Sequence, residues 1–235
     1  MSSRTNSHNI SHAESIFSGD AYQAGAEGGG RGIPRIGLVE ADLGTPIVAD
    51  VNGLFAEDLA TAGGSFTLDG ALVTAGVATF DVPRGVQIVN AGASTSVITF
   101  TGTDQYGSAL VESLTSNGAT IVYGKKAFKT ITGVTTDSDT TATLTAGSSD
   151  LLGLPFAVAD AGDMYIGNEN NVVAVPPAGT LAVAVTTNPA TATTGDVRGT
   201  YDPSDTLDGA TPVKLIYKPA GRTSILAYGV PQYGG

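Results

Sequence analysis

The feature that most constrains the fold is a dense series of turn signals between short apolar stretches. From Gly64 onward, the combinations LDG, VPRG, NAG, TDQYG, SNG and VPPAG separate segments rich in β-branched residues. Gly, Asn and Asp accept the backbone angles of tight turns, and β-branched residues favour strands. The chain has 32 Gly residues and no Trp, a composition typical of short strands joined by tight turns. We therefore predict an all-β protein, an antiparallel β-sandwich or barrel-like domain with tight hairpins, preceded by an extended N-terminal arm.

Local patterns refine this prediction. The stretch VITFTGTDQYGSALVESLT, Val97 to Thr115, predicts two strands joined by a polar turn. The spacing of apolar residues in KAFKTITGV predicts a β-bulge near Gly133. The pentapeptide TLDGA occurs at 67–71 and 206–210, and its Asp-Gly pair favours a type I′ hairpin turn at each place. The strand candidates are 65–68, 71–74, 77–82, 85–90, 96–101, 108–115, 119–123, 127–134, 141–145, 155–158, 163–166, 172–175, 180–186, 196–200, 213–218 and 224–228.

The N-terminal arm comprises residues 1–35, which are polar and Gly-rich. So few apolar residues cannot bury enough surface to fold alone. Ile10, Ile16, Phe17 and Tyr22 are the residues through which we expect the arm to bind a partner.

The rest of the chain divides into a linker and a β-rich domain. Residues 36–63 are predicted to be a linker, with a short helix over Asp50–Ala60 because its apolar residues fall at helical spacing. Residues 64–235 are predicted to form the β-rich domain. The stretch GSSDLLGLPFAVADAGD mixes Gly, Pro and acids, and it predicts a subdivision near 147–163.

Charge and cysteine content exclude several functions. The net charge of −11 argues against nucleic-acid binding, which needs clustered cations. Lys125, Lys126 and Lys129 form the one such cluster, and we expect it to be a solvated strand edge. The absence of Cys excludes disulfides and thiolate chemistry. No apolar run is long enough to span a bilayer, and the first residues lack the apolar core of a secretory signal, so we expect synthesis in the cytoplasm.

The two histidines, His8 and His12, both lie in the arm. Their i, i+4 spacing would place two imidazoles on one face of a helix, as in metal pairs. No HExxH acid accompanies them, so we expect polar arm residues. A Ser-His-Asp triad in the β-rich domain is excluded, because that domain has no histidine.

Paired carboxylates are the remaining catalytic option, as in glycosidases. Asp104 and Glu112 would face each other across the hairpin, and Asp160 and Asp163 are close in sequence. A glycosidase usually lines its sugar subsites with aromatic residues, of which this chain has few. We therefore predict no catalytic residue.

We expect structural roles for the hairpin acids instead. Asp104 is expected to cap the turn, with Tyr106 packed over it. Glu112 is expected to face solvent or to pair with a lysine such as Lys126. Asp137-Ser-Asp139 matches part of a calcium loop but lacks the Gly and distal Glu of an EF-hand, so we expect a polar turn. No metal or other cofactor is predicted.

Several phrases occur in an order that resembles one known class of protein. They are DVPRGVQIVNAG, ITFTGTDQYGSALVESLT, GKKAFKTITGVTTD and DLLGLPF, followed by TATTGDVRGTYDPS and the closing AYGVPQY. This succession resembles β-rich virion proteins of tailed bacteriophages, over about Gly64 to Tyr233. The resemblance implies a head decoration, or cement, protein on the outside of the capsid. It further implies a homotrimer that clasps neighbouring major capsid proteins, with no enzymatic activity.

Two alternatives remain open at this stage. A head–tail junction or tail protein would share the β-rich character but occur in fewer copies per particle. A surface carbohydrate-binding or depolymerising β protein would depend on Asp104, Glu112 and an exposed Tyr106. The partners expected from the resemblance are the major capsid protein and further copies of the chain, with neither nucleic acid nor membrane.

Overall fold

The computed structural model describes residues 37–57, 63–220 and 227–234. Within these ranges the protein is nearly all β, and its antiparallel sheets form a curled half-barrel, which confirms the predicted fold class. The arm lies outside the described residues. The strands are β1 Val39–Asp42, β2 Phe55–Glu57, β3 Val73–Thr74, β4 Val77–Asn90, β5 Val97–Thr103, β6 Ala109–Thr115, β7 Val122–Tyr123, β8 Phe128–Thr136, β9 Leu144–Gly153, β10 Met164–Glu169, β11 Val172–Ala174, β12 Thr180–Ala182, β13 Thr200–Asp202 and β14 Lys214–Tyr217.

The strands form two sheets. A ten-stranded sheet has the order β12-β13-β9-β4-β8-β5-β6, with β2 paired to β9 and with β3 and β7 paired to β4. A four-stranded sheet has the order β1-β14-β10-β11. A 3-10 helix, Ala161–Asp163, leads from the first sheet into the second. The long strand β4 pairs with both β8 and β9 and shifts register along each, which lets the large sheet curl.

The predicted hairpin is present as β5 and β6. Phe100 pairs with Glu112 and Thr103 pairs with Ala109, which fixes the register from one end to the other. The predicted bulge is also present in β8, because Thr101 pairs with Gly133 whereas the next residue, Gly102, pairs with Ile131. One face of the hairpin is buried in the core, and its apolar members are Ile98, Phe100, Leu110 and Leu114.

Buried side chains form two hydrophobic clusters. Burying one large apolar side chain contributes about 1.5–3 kcal/mol. The first cluster lies on the large sheet and contains Leu54, Phe55, Phe66, Ala78, Phe80, Val86, Ile88, Ile98, Phe100, Leu110, Leu114, Phe128, Ile131, Val134, Leu144 and Ala146. The second lies between the small sheet and the far end of the large one, and contains Ala41, Leu43, Leu152, Leu154, Val158, Met164, Tyr201, Leu207, Val213, Leu215 and Tyr217.

The predicted helix over Asp50–Ala60 is wrong where the structure describes that range. Residues 55–57 form strand β2, which pairs with 144–146 of β9, and Leu54 N–H donates to the Ala146 carbonyl at 3.0 Å. Both Leu54 and Phe55 are fully buried. Strand pairing overrides the helical spacing of the apolar residues here. Leu54 and Phe55 are consecutive, so their side chains point to opposite faces, and both faces are covered.

Other expectations also differ from the structure. Strand β9 continues to Gly153, inside the stretch 147–163, and the subdivision predicted there stays a prediction. The candidates 65–68 and 155–158 form no strand beyond an isolated bridge at Ser65. The Asp-Gly pairs of TLDGA do not connect paired strands. The tight β3–β4 hairpin turns at Ala75 and Gly76 instead, where both φ angles are positive, at 52° and 78°.

Candidate functional site

The residues predicted to bind a partner lie outside the described part of the chain. Ile10, Ile16, Phe17 and Tyr22 belong to residues 1–36, as do His8 and His12. The expected arm contacts therefore stay predictions. Within 37–57, 63–220 and 227–234, no group of three or more His, Asp or Glu side chains is placed to hold a metal ion. No helix in these ranges is long and apolar enough to cross a bilayer.

Asp104 caps the hairpin turn as predicted. Its Oδ1 accepts hydrogen bonds from the backbone N–H groups of Tyr106 at 2.8 Å and Ser108 at 2.9 Å. Its Oδ2 accepts a hydrogen bond from Arg198 Nη1 at 3.0 Å, and both side chains are buried. Asp104 is therefore fully engaged in holding the turn and an arginine, which leaves little of the carboxylate for proton transfer.

Glu112 does not face Asp104. It pairs with Phe100, which lies four positions before Asp104, so the two acids are about 13 Å apart along the strand direction. The proposed acid pair is therefore wrong. The expectation that Glu112 faces solvent is wrong as well, because Glu112 is 1% exposed and lies on the core face between Leu110 and Leu114.

The carboxyl of Glu112 lies beneath the loop that joins β7 to β8. Its Oε1 accepts a hydrogen bond from the Lys125 backbone N–H at 2.5 Å. Gly124 leaves room for the carboxyl, since a Cβ there would lie 2.6 Å from Glu112 Oε2. Burial raises the pKa of Glu112 to about 7, although the Lys125 N–H and the Lys126 ammonium pull the pKa down.

Lys126 is buried, which overturns its expected place on a solvated edge. Burial lowers the pKa of its ammonium, and the charges of Glu112 and Asp196 act in the opposite direction. Lys126 Nζ and Glu112 Oε2 make no hydrogen bond within the described residues. Lys126 Nζ lies 5.7 Å from the centroid of the Tyr233 ring, so the C-terminal segment supplies a cation–π contact.

Arg198 connects the hairpin to the rest of the domain, and the sequence analysis missed it. Its Nε donates to the Leu154 carbonyl at 3.2 Å, and its Nη2 lies 4.0 Å from Asp196. Asp196 in turn accepts from the backbone N–H groups of Ala127 and Arg198. The phrase GDVRG, an Asp and an Arg between two glycines, was the available signal. These contacts form a buried charge network that ties the hairpin turn to residues 127, 154 and 196–198.

A surface groove of about 460 Å³ opens above this network. Tyr106 and Tyr228 form one wall, with their rings edge to face and 5.4 Å apart. Arg198 lies 5.1 Å from the Tyr106 centroid, and Ser108 and Gln232 complete the polar part of the lining. Tyr106 Oη donates to the Pro155 carbonyl at 2.7 Å, so this ring is fixed at both ends. Tyr106 is exposed as expected.

Three of the other acids considered above accept hydrogen bonds from backbone N–H groups, and the fourth, Asp163, pairs with a lysine. Asp160 Oδ1 accepts from Gly162 N–H, and Asp163 pairs with Lys218 at 3.0 Å. Asp137 accepts from Val97 N–H and Asp139 from Thr141 N–H. The expected polar turn is confirmed for the last two.

A second buried acid is fully satisfied. Glu169 accepts hydrogen bonds from Tyr201 Oη, from the Ser204 N–H and hydroxyl at 2.8 Å each, and from Asp205 N–H at 3.1 Å. Burial raises the pKa of Glu169, but the hydrogen bonds from Tyr201, Ser204 and Asp205 outweigh it, so the pKa lies below its ordinary value. This cluster joins β10 to the segment after β13.

The most exposed apolar residues lie at the outer edge of the small sheet. Val172, Val173 and Val175, called the valine edge below, are 63%, 62% and 73% exposed. Strand β11 is the last strand of its sheet within the described residues. Comparisons with protein-family models, with curated proteins and with solved structures found no match to this chain.

Proposed function

We propose that this chain is a non-enzymatic structural protein of a tailed-phage particle. It binds the outside of the capsid and stabilises the shell by bridging neighbouring major capsid proteins, as a homotrimer. The head–tail junction remains the competing location within the particle.

The valine edge is the observation that carries the proposal. Large exposed apolar groups mark protein contact sites, and an edge strand offers unpaired backbone groups to a partner. Residues 170–195, which include this edge, contain no Asp, Glu, Lys or Arg. A charge-free apolar edge on a chain of net charge −11 is suited to lying against another protein.

The location of the resembling phrases gives further support. The phrases at 81–92, 98–115, 124–137 and 150–156 fall on β4, β5–β6, β8 and the end of β9. These strands are adjacent in the large sheet, in the order β9-β4-β8-β5-β6. Four of the six phrases therefore fall on one continuous part of the large sheet, whereas those at 191–204 and 227–233 lie mostly outside strands.

The physical demands of a capsid fit such a chain. Packed DNA pushes the shell outward, and a protein that spans a seam adds contact area where subunits separate. An extended arm adds area without a core of its own, at the expense of ordering entropy on binding. Three linked copies strengthen weak contacts through effective concentration. An acidic outer layer stays soluble and is repelled by nucleic acid.

The test is a binding experiment with capsids that lack the protein. We expect the full chain to saturate the particles, and the variant without residues 1–35 to remain a folded trimer that no longer binds. We expect Val173→Lys to weaken trimer formation or particle binding. The control is Val48→Lys, which changes a valine that is 58% exposed and outside the valine edge, and it should leave both unchanged. Full occupancy by the truncated chain in electron micrographs would refute the role of the arm.

Copy number separates the two locations within a particle. A capsid-bridging protein occurs in fixed ratio to the major capsid protein, whereas a junction or tail protein occurs in far fewer copies. The ratio of the two bands on a stained gel of purified particles decides between them. A band far weaker than a fixed ratio to the major capsid protein requires would move the proposal to the head–tail junction.

A further inference from the structure

The groove between Tyr106 and Tyr228 has an aromatic wall whose shape is fixed in advance. The two rings are 50% and 44% exposed, which is unusual for side chains that are otherwise held firmly. Phe156 packs against Tyr228 from another side, at 5.4 Å between centroids. Hydrogen bonding to Pro155 and the cation–π contact with Arg198 hold Tyr106 in place. A ligand that stacks on this wall therefore loses little affinity to the ordering of side chains.

Neutral polar atoms line the same groove. Gln232 Oε1 is buried and makes no hydrogen bond within the described residues, and the exposed side chains of Ser108 and Tyr228 add two hydroxyl groups to the lining. Hydroxyl groups both donate and accept, and an amide oxygen accepts. These atoms suit a ligand that carries many hydroxyl groups at fixed spacing.

The charges of the groove disfavour an anionic ligand. Arg198 is the cation of the lining, and Asp104 and Asp196 already compensate its charge. The chain as a whole carries a net charge of −11. An acidic ligand would therefore meet repulsion without gaining a free cation.

We propose that the Tyr106–Tyr228 groove binds a neutral oligosaccharide. The apolar face of a sugar ring packs on the tyrosine wall, and its hydroxyls bond to Ser108, Tyr228 and Gln232. A volume of about 460 Å³ lies within the range of small-molecule sites. Binding without cleavage is expected, because Asp104 is held by Arg198 and Glu112 is buried in the core. This proposal does not depend on capsid binding, since the lining comes from the β5–β6 turn, Arg198 and residues 228–232, none of which belongs to the valine edge.

The experiment is a titration of the purified full chain with maltotriose, cellotriose, chitotriose and, as an anionic probe, trigalacturonate. Saturation-transfer NMR detects weak binding, and calorimetry gives the dissociation constant. We expect saturable binding of at least one neutral trisaccharide and none of trigalacturonate. Tyr228→Ala should weaken that binding at least about tenfold. Tyr165→Ala, which removes a ring that is 40% exposed on β10, is the matched control and should bind normally.

A second variant guards against a loss of folding. Ser108→Ala removes one hydroxyl from an exposed side chain, so it should keep the unfolding midpoint of the wild type while binding about three- to tenfold more weakly. The proposal is overturned if none of the three neutral sugars binds saturably. It is also overturned if a folded Tyr228→Ala binds as well as Tyr165→Ala, or if trigalacturonate binds as tightly as the neutral sugars.

Discussion

Glu112→Gln is predicted to make the protein more stable at neutral and alkaline pH. The substitution keeps the shape of the side chain and an oxygen that can accept from Lys125 N–H, but it removes a negative charge from the core. Removing a buried charge that makes no hydrogen bond through its Oε2 should help folding whenever Glu112 would be ionised. The effect should therefore depend on pH.

The magnitude follows from the pKa. Burial raises the pKa of Glu112 from the ordinary 4.5 to about 7. The folded chain then binds more protons than the unfolded chain between these pH values, so stability falls as pH rises through that window. For this single group the total loss relative to the protonated form is about 3 kcal/mol, and most of it, about 2–3 kcal/mol, falls between pH 5 and pH 8. The lowered pKa of Lys126 has the opposite effect on stability. It makes the free energy of unfolding rise with pH over a range that ends near the ordinary lysine value of 10.5.

The assay is urea denaturation of wild type and Glu112→Gln at pH 5, 6, 7 and 8. The difference between the two proteins cancels the titration of the groups that are not coupled to Glu112, which excludes Lys126 and Asp196. The stability difference should grow by about 2–3 kcal/mol in favour of the variant across this range. Glu40→Gln, at an exposed position of β1, is the control and should show no such trend. A flat difference, or a carboxyl resonance of Glu112 that titrates near 4.5, would refute the argument.

Three further substitutions test the scaffold. Gly102→Ala places a Cβ 1.9 Å from the Thr130 carbonyl oxygen of β8, so it should lower the free energy of unfolding by about 3 kcal/mol in urea denaturation. The control is Gly133→Ala, whose Cβ meets no atom within 4 Å and which should change stability far less. Arg198→Met leaves the buried carboxylates of Asp104 and Asp196 without their cation and should lower the free energy of unfolding by about 3–5 kcal/mol in the same assay. A loss below about 1 kcal/mol would contradict the importance of this charge network. Tyr201→Phe removes a hydrogen bond to Glu169, so the pKa of Glu169 should rise in an NMR titration, with a stability loss of about 1–2 kcal/mol that shrinks as pH falls and the carboxyl becomes protonated.

The β character and the local features of the fold were predictable because they depend on neighbours in sequence. Gly102 and Gly107 lie on either side of a turn whose own residues favour turn formation, independently of the rest of the chain. The alternation of apolar and polar residues over Val97–Thr103 fixes which face of the strand is buried. The bulge near Gly133 was predictable for the same reason. These signals need no knowledge of distant residues.

The errors arose where distant pairing decides the local structure. Residues 50–57 have apolar spacing that suits a helix, but the edge of β9 is available and β2 forms on it. Strand β1 in the predicted linker depends likewise on β14, which lies more than 170 residues away in the sequence. No window of sequence that excludes the partner strand contains this information.

The candidate site was predictable only in part. The pattern Leu110-x-Glu112-x-Leu114 places Glu112 on the apolar face, so its burial was available from alternation and was overlooked. The contact of Arg198 with Asp104 joins residues 94 positions apart and was not available. Tyr228, which completes the groove, lies more than 100 residues from Tyr106, and its role depends on the same long-range folding.

The burial of cations changes what the surface can bind. Of the seven Lys and Arg residues in the described ranges, Arg84, Lys126 and Arg198 are buried, whereas only four of the eighteen acids are. The surface that these residues present is therefore left with fourteen acids and four cations, a stronger acidic excess than the composition suggests. Such surfaces repel one another, so copies of the chain should meet where charge is absent, at the valine edge.

Added salt tests this argument about association. Screening weakens repulsion between acidic surfaces, with a Debye length that falls from about 10 Å at 0.1 M to about 3 Å at 1 M, while apolar contact persists. Self-association measured by light scattering should therefore strengthen between these salt concentrations, and Val173→Lys should weaken it at both. The exposed Val48→Lys provides the control for the added charge. Association that weakens with salt would mean that ion pairs join the copies, and the contact would then have to lie on a charged surface away from residues 170–195.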